Sequence, residues 1–299
     1  MKDMNIPHLQ TNIPLSGYTT YGVGGPAKFF LIASNKNELL HALQEAHREA
    51  VPTFVFGGGS DILVADQGFP GLVIKMELRE MNFSGTTVRA EAGVKLSYLI
   101  TECLRHELSG LEYAIGVPAT VGGGVWANLG ARGSEIKDVL TQVHAIDPTQ
   151  AMKELFLTNQ ECQFAYRESI FKHKPYIILD ATFNLKLIDK TVLQARLKEL
   201  AKLRTTEQDL GSKTAGCAFR NPSADKPAGK LIELAGLKGF SLGGAKVSEK
   251  HANFIVNTGK ASADEIAQLI SYIKQQVRDQ FGVQLQEEVK YVGFQFPQV

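Results

Sequence analysis

Two glycine-dense segments carry the first legible chemistry. Phe56-Gly57-Gly58-Gly59-Ser60-Asp61 directly follows an apolar run. Without side chains, glycines let backbone N–H groups close around an anion, and Ser60 adds a hydroxyl donor. The segment therefore suits a phosphate as well as it suits a tight turn. It is not G-x-G-x-x-G, and no P-loop G-K-[ST] occurs, which disfavours the standard nucleotide folds. The second segment, Gly116 to Gly133, holds six glycines, with Pro118, Asn128 and Ala131 among them. So little side chain lets a flat object or another backbone pack closely, and a planar ring carrying a pyrophosphate would fit. Its apolar residues argue against a disordered connection.

Titratable groups come next. Between Val283 and Phe294 the residues alternate. Val283, Leu285, Glu287, Val289 and Tyr291 share one face; Gln284, Gln286, Glu288 and Lys290 share the other. Parity singles out Glu287 as the carboxylate on an apolar face, where burial raises a pKa. The three cysteines, Cys103, Cys162 and Cys217, are far apart with no C-x-x-C spacing. A disulfide framework is not expected, and a reducing, cytoplasmic setting fits. A free cysteine is most often a small buried hydrophobe. The seven histidines show no ligand spacing, so no metal site is expected.

The elements that must position these groups alternate between helix and strand. Asn35 with Glu38 reads as a capping box for a helix to Ala50, with Leu39, Leu40, Leu43 and Ala46 as its stripe. Residues 96–108 are helical by pattern. Strands are expected at residues 27–32, 53–56, 72–74, 87–92, 176–185, 252–257 and 283–294. Lys190 to Arg204, charged, amphipathic and rich in helix formers, opens a second domain. A helix from Ser262 to Phe281 has Ser262 and Glu265 as capping box, Gly282 past its end, and the stripe Ile266, Leu269, Ile270, Ile273, Val277 and Phe281. The expected organisation is an N-terminal segment (1–17), a first domain (18–187) and a smaller one (188–299), of class α+β. The N-terminus lacks an apolar signal core, and no run approaches a membrane span. The net charge is +1 across 299 residues, so neither nucleic acid nor an anionic membrane is an expected partner.

Together the glycine segments resemble the FAD-binding domain of the UDP-N-acetylenolpyruvoylglucosamine reductases, the MurB family. Its pattern is close to G-G-G-S-N followed by G-[IV]-P-G-[ST]-V-G-G-A-x-x-x-N-A-G-A-[YF]-G. Upstream, Thr19-Thr20-Tyr21-Gly22-Val23-Gly24-Gly25 is similar to the family's T-[FY]-[GR]-[IV]-G-G. Phe164-Ala165-Tyr166-Arg167-Glu168-Ser169 resembles [FY]-x-Y-R-x-S. Residues 228–239 match A-G-x-L-I-E-x-A-G-L-K-G, and residues 243–257 match G-G-A-x-V-S-x-K-H-A-N-F-[IL]-[VI]-N. The likeness extends from about Leu15 to Gly293. Departures from it include Asp61 for Asn, Ala119 for Gly, Gly124 for Ala and Arg132 for an aromatic.

The resemblance implies a two-subdomain FAD-binding domain of the vanillyl-alcohol-oxidase (PCMH-like) type, followed by a smaller α+β substrate-binding domain. It implies non-covalent FAD held by Tyr21, Gly57, Gly58, Gly59, Ser60, Asp61, Gly116, Pro118, Gly122, Gly123, Asn128, Gly130 and Ala131. His106 and His144 fall outside the matched motifs, so no covalent attachment is expected. The reaction implied is reduction of the enolpyruvyl ether of UDP-N-acetylglucosamine by NADPH in peptidoglycan precursor synthesis, carried out by a monomer. In Thr214-Ala215-Gly216-Cys217-Ala218-Phe219-Arg220-Asn221-Pro222 the family has a serine, the proton donor, where this chain has Cys217. A reference thiol has a pKa of about 8.5, well below an alcohol, so the exchange is chemically permitted.

Arg167 is carried over as the group that steadies the developing enolate, and Glu288 as the catalytic carboxylate, with Glu287 as fallback. Tyr166, Asn221 and Lys230 are carried over as substrate contacts. His251 is read as structural. Only 49 residues separate Arg167 from Cys217, which resembles the family type without a tyrosine loop over the substrate. Two rival readings are another FAD oxidase or dehydrogenase of the wider fold and a non-enzymatic flavin binder.

Overall fold

In a computed structural model the described residues are 4–209 and 211–295. The chain ends that the expected domains included, residues 1–3 and 296–299, lie outside them, as does Leu210. The chain forms two units, each mixing strands and helices, as the α+β reading expects. One holds the residues up to Gln10 with Phe30–Gly58 and Gly71–Leu203; the other holds Thr11–Phe29, Gly59–Pro70 and the chain from Arg204.

Among the described residues the first unit has two larger sheets besides two short two-stranded ones. Thr53–Phe56 pairs in parallel with Phe69–Met76, which neighbours Pro26–Ala33. The helix α1, Lys36–Arg48, buries Leu39, Ala42, Leu43 and Ala46. Asn35 Oδ1 accepts the Glu38 N–H at 3.0 Å, as its cap position requires. Glu38 reaches back to the Ser34 N–H at 2.8 Å rather than closing on Asn35. The second sheet is antiparallel, in the order Lys153–Thr158, Leu140–Asp147, Ile177–Asn184, Thr87–Glu91, Met81–Ser84. Two further helices belong here, α2 (Leu96–Arg105) and α3 (Val121–Ala127). The latter lies inside the second glycine-dense segment. Its glycines have poor helix propensity, but Val121 and Gly122 donate to the Val94 and Ala92 carbonyls at 2.8 and 2.9 Å, and these tertiary bonds fix the turn.

The helix α4, Lys190–Glu207, was read as amphipathic and as the start of the second domain. Only Leu193 is buried among its described residues. Its first turns belong to the first unit, where the Asp189 carboxylate caps Thr191 N–H at 2.8 Å and Arg196 reaches Glu112 at 3.3 Å. The boundary therefore falls after Leu203, and residues 11–29 and 59–70 join the C-terminal unit. The cause is non-local: Ile62–Val64 pairs in parallel with Lys290–Val292, a partnership that leaves no local pattern.

That second unit is built on an antiparallel sheet, Lys213–Cys217, Phe254–Asn257, Ala245–Val247, Ser241–Leu242. Two helices cover it, α5 (Ala228–Leu234) and α6 (Ala263–Phe281). The latter has the expected Ser262–Glu265 capping box and buries the expected stripe, except that Phe281 is exposed. These side chains pack with Tyr21, Val23, Leu63, Ala218, Phe219, Leu285 and Val289. The expected strand 283–294 shortens to Lys290–Val292. Its alternation is real, since Leu285 and Val289 are buried, but its partner is irregular. The Phe219–Glu287 bridge and two backbone bonds, Arg220 N to Gln286 O and Glu288 N to Ala218 O, both 2.9 Å, join the two segments.

Candidate active site

Each unit carries candidate residues of its own. In the first, the strand Thr53–Phe56 runs straight into Gly57, whose backbone lies against Thr120. A Cβ at Gly57 would overlap Thr120 Oγ1, so only glycine permits the approach. The two glycine-rich segments thus meet at these residues. Thr120, which sequence reasoning passed over, caps α3 by accepting the Gly123 N–H at 3.3 Å. In the turn itself, the N–H groups of Gly58, Gly59 and Ser60 make no hydrogen bond among the described residues. Donors not engaged by the chain itself suit a pyrophosphate.

The start of α3 is different. Its amides are already spent on Val94, Ala92 and Thr120. Gly122, expected to touch cofactor, packs on Ala92, where a Cβ would stand 2.8 Å from the alanine's own Cβ. Gly116, Pro118 and Gly123 are exposed. Asn128 is fully buried in the left-handed conformation. Its Nδ2 donates to Ala165 O at 2.8 Å and Glu135 at 3.1 Å, and its Oδ1 accepts from Lys137 N–H at 3.2 Å. It braces the segment instead of presenting an amide to a ligand. Ala131 pairs with Ser134 in the hairpin that follows.

Asn128 also fixes the position of Arg167. Ala165 and Glu168 exchange backbone bonds of 3.1 and 3.0 Å, placing Tyr166 and Arg167 at the tip of a turn. Arg167 has φ +55°, where Gly or Asn is preferred, a conformation costing about 1 kcal/mol for other residues. Surrounding bonds over-determine it: Lys172 Nζ donates to the Arg167 carbonyl at 2.8 Å while lying over the Trp126 ring, and Ser169 Oγ donates to Trp126 O at 2.6 Å. Strain held this way marks functional sites. A Cβ at Gly130 would stand 3.2 Å from Arg167 Nη1, so the guanidinium lies against the glycine-rich segment. The exposed Tyr166 ring lies 5.3 Å from the guanidinium carbon.

In the second unit, Cys217 ends the strand Lys213–Cys217. Gly216, at φ +79°, takes up the register shift between Thr214 and Cys217, which stands opposite Phe254. Asn253, quoted in a motif but given no role, holds the next residues. It accepts the Phe219 N–H at 3.0 Å, returns a bond to the Phe219 carbonyl at 2.8 Å, and its own carbonyl takes the Ala218 N–H at 2.7 Å. Glu288 N–H donates to Ala218 O, which sets residue 288 alongside the residue after Cys217. Glu287, on the apolar face by parity, is engaged by Lys274 at 2.6 Å.

Asn221 Oδ1 accepts the Ala228 N–H at 3.0 Å, fixing the turn before α5. Lys230 is exposed one turn along, 4.0 Å from Glu233. Tyr21, expected to touch cofactor, is fully buried in the core of this unit, and Asp61, from the glycine turn, acts on its hydroxyl. The His251 imidazole packs on Phe254 at 4.5 Å, and burial pushes its pKa down.

Residues 27–155 match the family model described as FAD binding domain, and residues 208–292 match the C-terminal domain of UDP-N-acetylenolpyruvoylglucosamine reductase. A reductase of that name from Caldanaerobacter subterraneus subsp. tengcongensis is 42% identical over 286 residues, 95% of this chain and 94% of that one. Another, from Listeria welshimeri, is 39% identical over 96% of this chain and 97% of that one. The crystal structure of the Thermus caldophilus reductase superposes with TM-score 0.82 at 33% identity, covering 95% of this chain and 99% of that one.

Proposed function

The chain belongs to the UDP-N-acetylenolpyruvoylglucosamine reductase family, and from that premise we propose that it reduces the enolpyruvyl ether of UDP-N-acetylglucosamine with NADPH, using FAD, in peptidoglycan precursor synthesis. At the level of the site, one observation carries the reading. Residues 218–220, which follow Cys217, pair irregularly with residues 286–288, which include Glu288, and Asn253 clamps Phe219 in that pairing.

The residues fit FAD. The Gly58, Gly59 and Ser60 amides would take its pyrophosphate, and the small-residue surface of Gly116, Pro118 and Gly123 would lie along it. His106 stacks on Phe83 at 4.1 Å, and His144 is engaged by Asp180 and Glu154, which supports non-covalent binding. FAD, when bound, would supply the hydride chemistry that links NADPH to C3 of the enolpyruvyl group.

The protein's own task is the charge that appears at C2 and spreads into the carboxylate. Arg167 meets it with a planar, permanently charged fork already fixed in its strained turn. Glu288, in its protonated form, is a hydrogen-bond donor. Glu287 is unsuited because Lys274 occupies it. Cys217 gives the S–H proton to C2 as general acid. Asn221, Lys230 and Tyr166 contact the UDP-sugar. Between Arg167 and Cys217 the described chain is taken up by the strands Ile177–Asn184 and Lys186–Leu187 and by α4, which supports the type without a tyrosine loop. No helix among the described residues is long and apolar enough to cross a membrane.

The test is anaerobic. NADPH should bleach the flavin of the purified protein, and the enolpyruvyl-UDP-sugar alone should restore its colour. A flavin that substrate leaves reduced would overturn the reading.

A further inference from the structure

Gly130 is buried, and its φ lies outside the left-handed region that favours glycine. Conformation therefore does not demand a glycine here; crowding does. A Cβ at this position would stand 2.7 Å from Glu135 Cγ, 3.0 Å from the Ser134 carbonyl oxygen and 3.2 Å from Arg167 Nη1. The first and last of these atoms belong to side chains of opposite charge, and both flank the same gap over the bare Cα. The resemblance sets Gly130 among the cofactor contacts, yet what covers it is the protein's own carboxylate and guanidinium.

The carboxylate is fixed where it stands. Glu135 pairs directly with Gly130 across the hairpin that joins Gly130–Ala131 to Ser134–Glu135. Its Oε2 accepts from Asn128 Nδ2 at 3.1 Å and meets Lys137 Nζ at 2.7 Å. The same Asn128 amide donates to the Ala165 carbonyl at 2.8 Å, and Ala165 closes the turn whose tip carries Arg167. One buried amide thus ties the carboxylate and the arginine's turn to a common point. The Tyr113 hydroxyl feels both charges: burial above all raises its pKa, Asp138 and Glu135 add to that, and Arg167 opposes them.

A long side chain that must meet a carboxylate in one geometry gains by being held there beforehand. We propose that Gly130 and Glu135 form the seat of the Arg167 guanidinium: the missing side chain at 130 gives it room, and the carboxylate at 135 attracts the cation to that place before the substrate's own carboxylate arrives. Both are positioning residues, acting through Arg167. With Oε2 engaged by Asn128 and Lys137, Glu135 offers the fork at most one oxygen, which leaves the guanidinium an edge for the substrate.

This rests on Arg167 as the residue that meets the substrate's carboxylate, and the two ideas fail separately. Gly130→Ala fills the gap, and Glu135→Asp keeps the charge but withdraws it by one methylene. In each, the KM for the enolpyruvyl-UDP-sugar should rise about tenfold, while the FAD content of the purified protein stays at the wild-type level. Beside Arg167→Lys, which lacks the planar fork, either change should lose most of its effect, because neighbours that act as one constellation are not additive. Glu135→Asp keeps the test open if Gly130→Ala does not fold. Unchanged KM in the folded variants overturns the proposal, and FAD loss alongside it returns Gly130 to the cofactor. A KM effect that persists undiminished beside Arg167→Lys overturns it as well. An Arg167→Ala variant with unchanged KM would instead remove the reading beneath it.

Discussion

Asn253 grips Phe219 at both ends, accepting its N–H at 3.0 Å and donating to its carbonyl at 2.8 Å. Both residues are buried, with Asn253 only 3% exposed, so no water can replace these bonds. The clamp holds the segment that begins at Cys217 against the segment that bears Glu288. Asn253→Ala strands a buried N–H and a buried carbonyl, at about 1–3 kcal/mol each. Urea unfolding should show a loss of about 2–6 kcal/mol, and flavin reoxidation by substrate should slow more than flavin reduction by NADPH.

Arg167 and Lys172 form a second pair. Arg167→Lys keeps the charge but loses the planar fork, and the KM for the enolpyruvyl substrate should rise about 10- to 100-fold, or about 1.4–2.8 kcal/mol. Lys172→Met leaves the guanidinium but frees the Arg167 carbonyl, and KM should rise severalfold with the fold intact by circular dichroism. Steady-state kinetics on both variants checks this, and an unchanged KM for either contradicts the assigned role.

Asp66 accepts the N–H groups of Ala263 and Asp264 at 2.9 and 3.0 Å, placing a carboxylate at the start of α6 from far away in sequence. A negative charge there is favourable to the helix dipole and satisfies two terminal donors. Asp66→Ala should cost about 1–2 kcal/mol of stability, and Asp66→Asn less, in thermal unfolding at neutral pH.

His144 joins Asp180 at 2.9 Å and Glu154 at 2.7 Å, with Arg89 bidentate on Asp180. The Asp180 bond first, then Glu154, raises the imidazole above its ordinary value against the opposing effect of burial. A raised folded-state pKa means this stabilisation is complete below about pH 6.5 and is lost as pH rises through the folded value. Asp180, which burial alone would raise, is instead held low by Arg89 and His144, so its contribution disappears only in acid. Denaturant stability should fall from pH 6 to 8.5, and His144→Gln should flatten that slope.

The helices were legible because their signals are local. Asn35 caps α1 three residues from its donor partner, the Glu38 N–H, and Ser262 and Glu265 close on each other at the start of α6. The short helix at residues 121–127 was hidden because glycine propensity argues against it and only distant carbonyls hold it. Nothing near Ile62 announces Lys290 as its neighbour, and nothing near Asp66 announces α6. The motifs pointed to Cys217 and Arg167, yet the left-handed turn under Arg167, the Lys172 bond and the Asn253 clamp are tertiary facts. Parity over residues 283–294 singled out Glu287, but nothing local could show that Lys274 meets it.

The central claim is that Cys217 delivers the proton. Stopped-flow spectroscopy of Cys217→Ala and Cys217→Ser, with each half-reaction followed separately, tests it most directly. The flavin of Cys217→Ala should be reduced by NADPH at the wild-type rate and stay reduced when substrate is added, while Cys217→Ser keeps substantial reoxidation. Reoxidation of Cys217→Ala at the wild-type rate would contradict the claim.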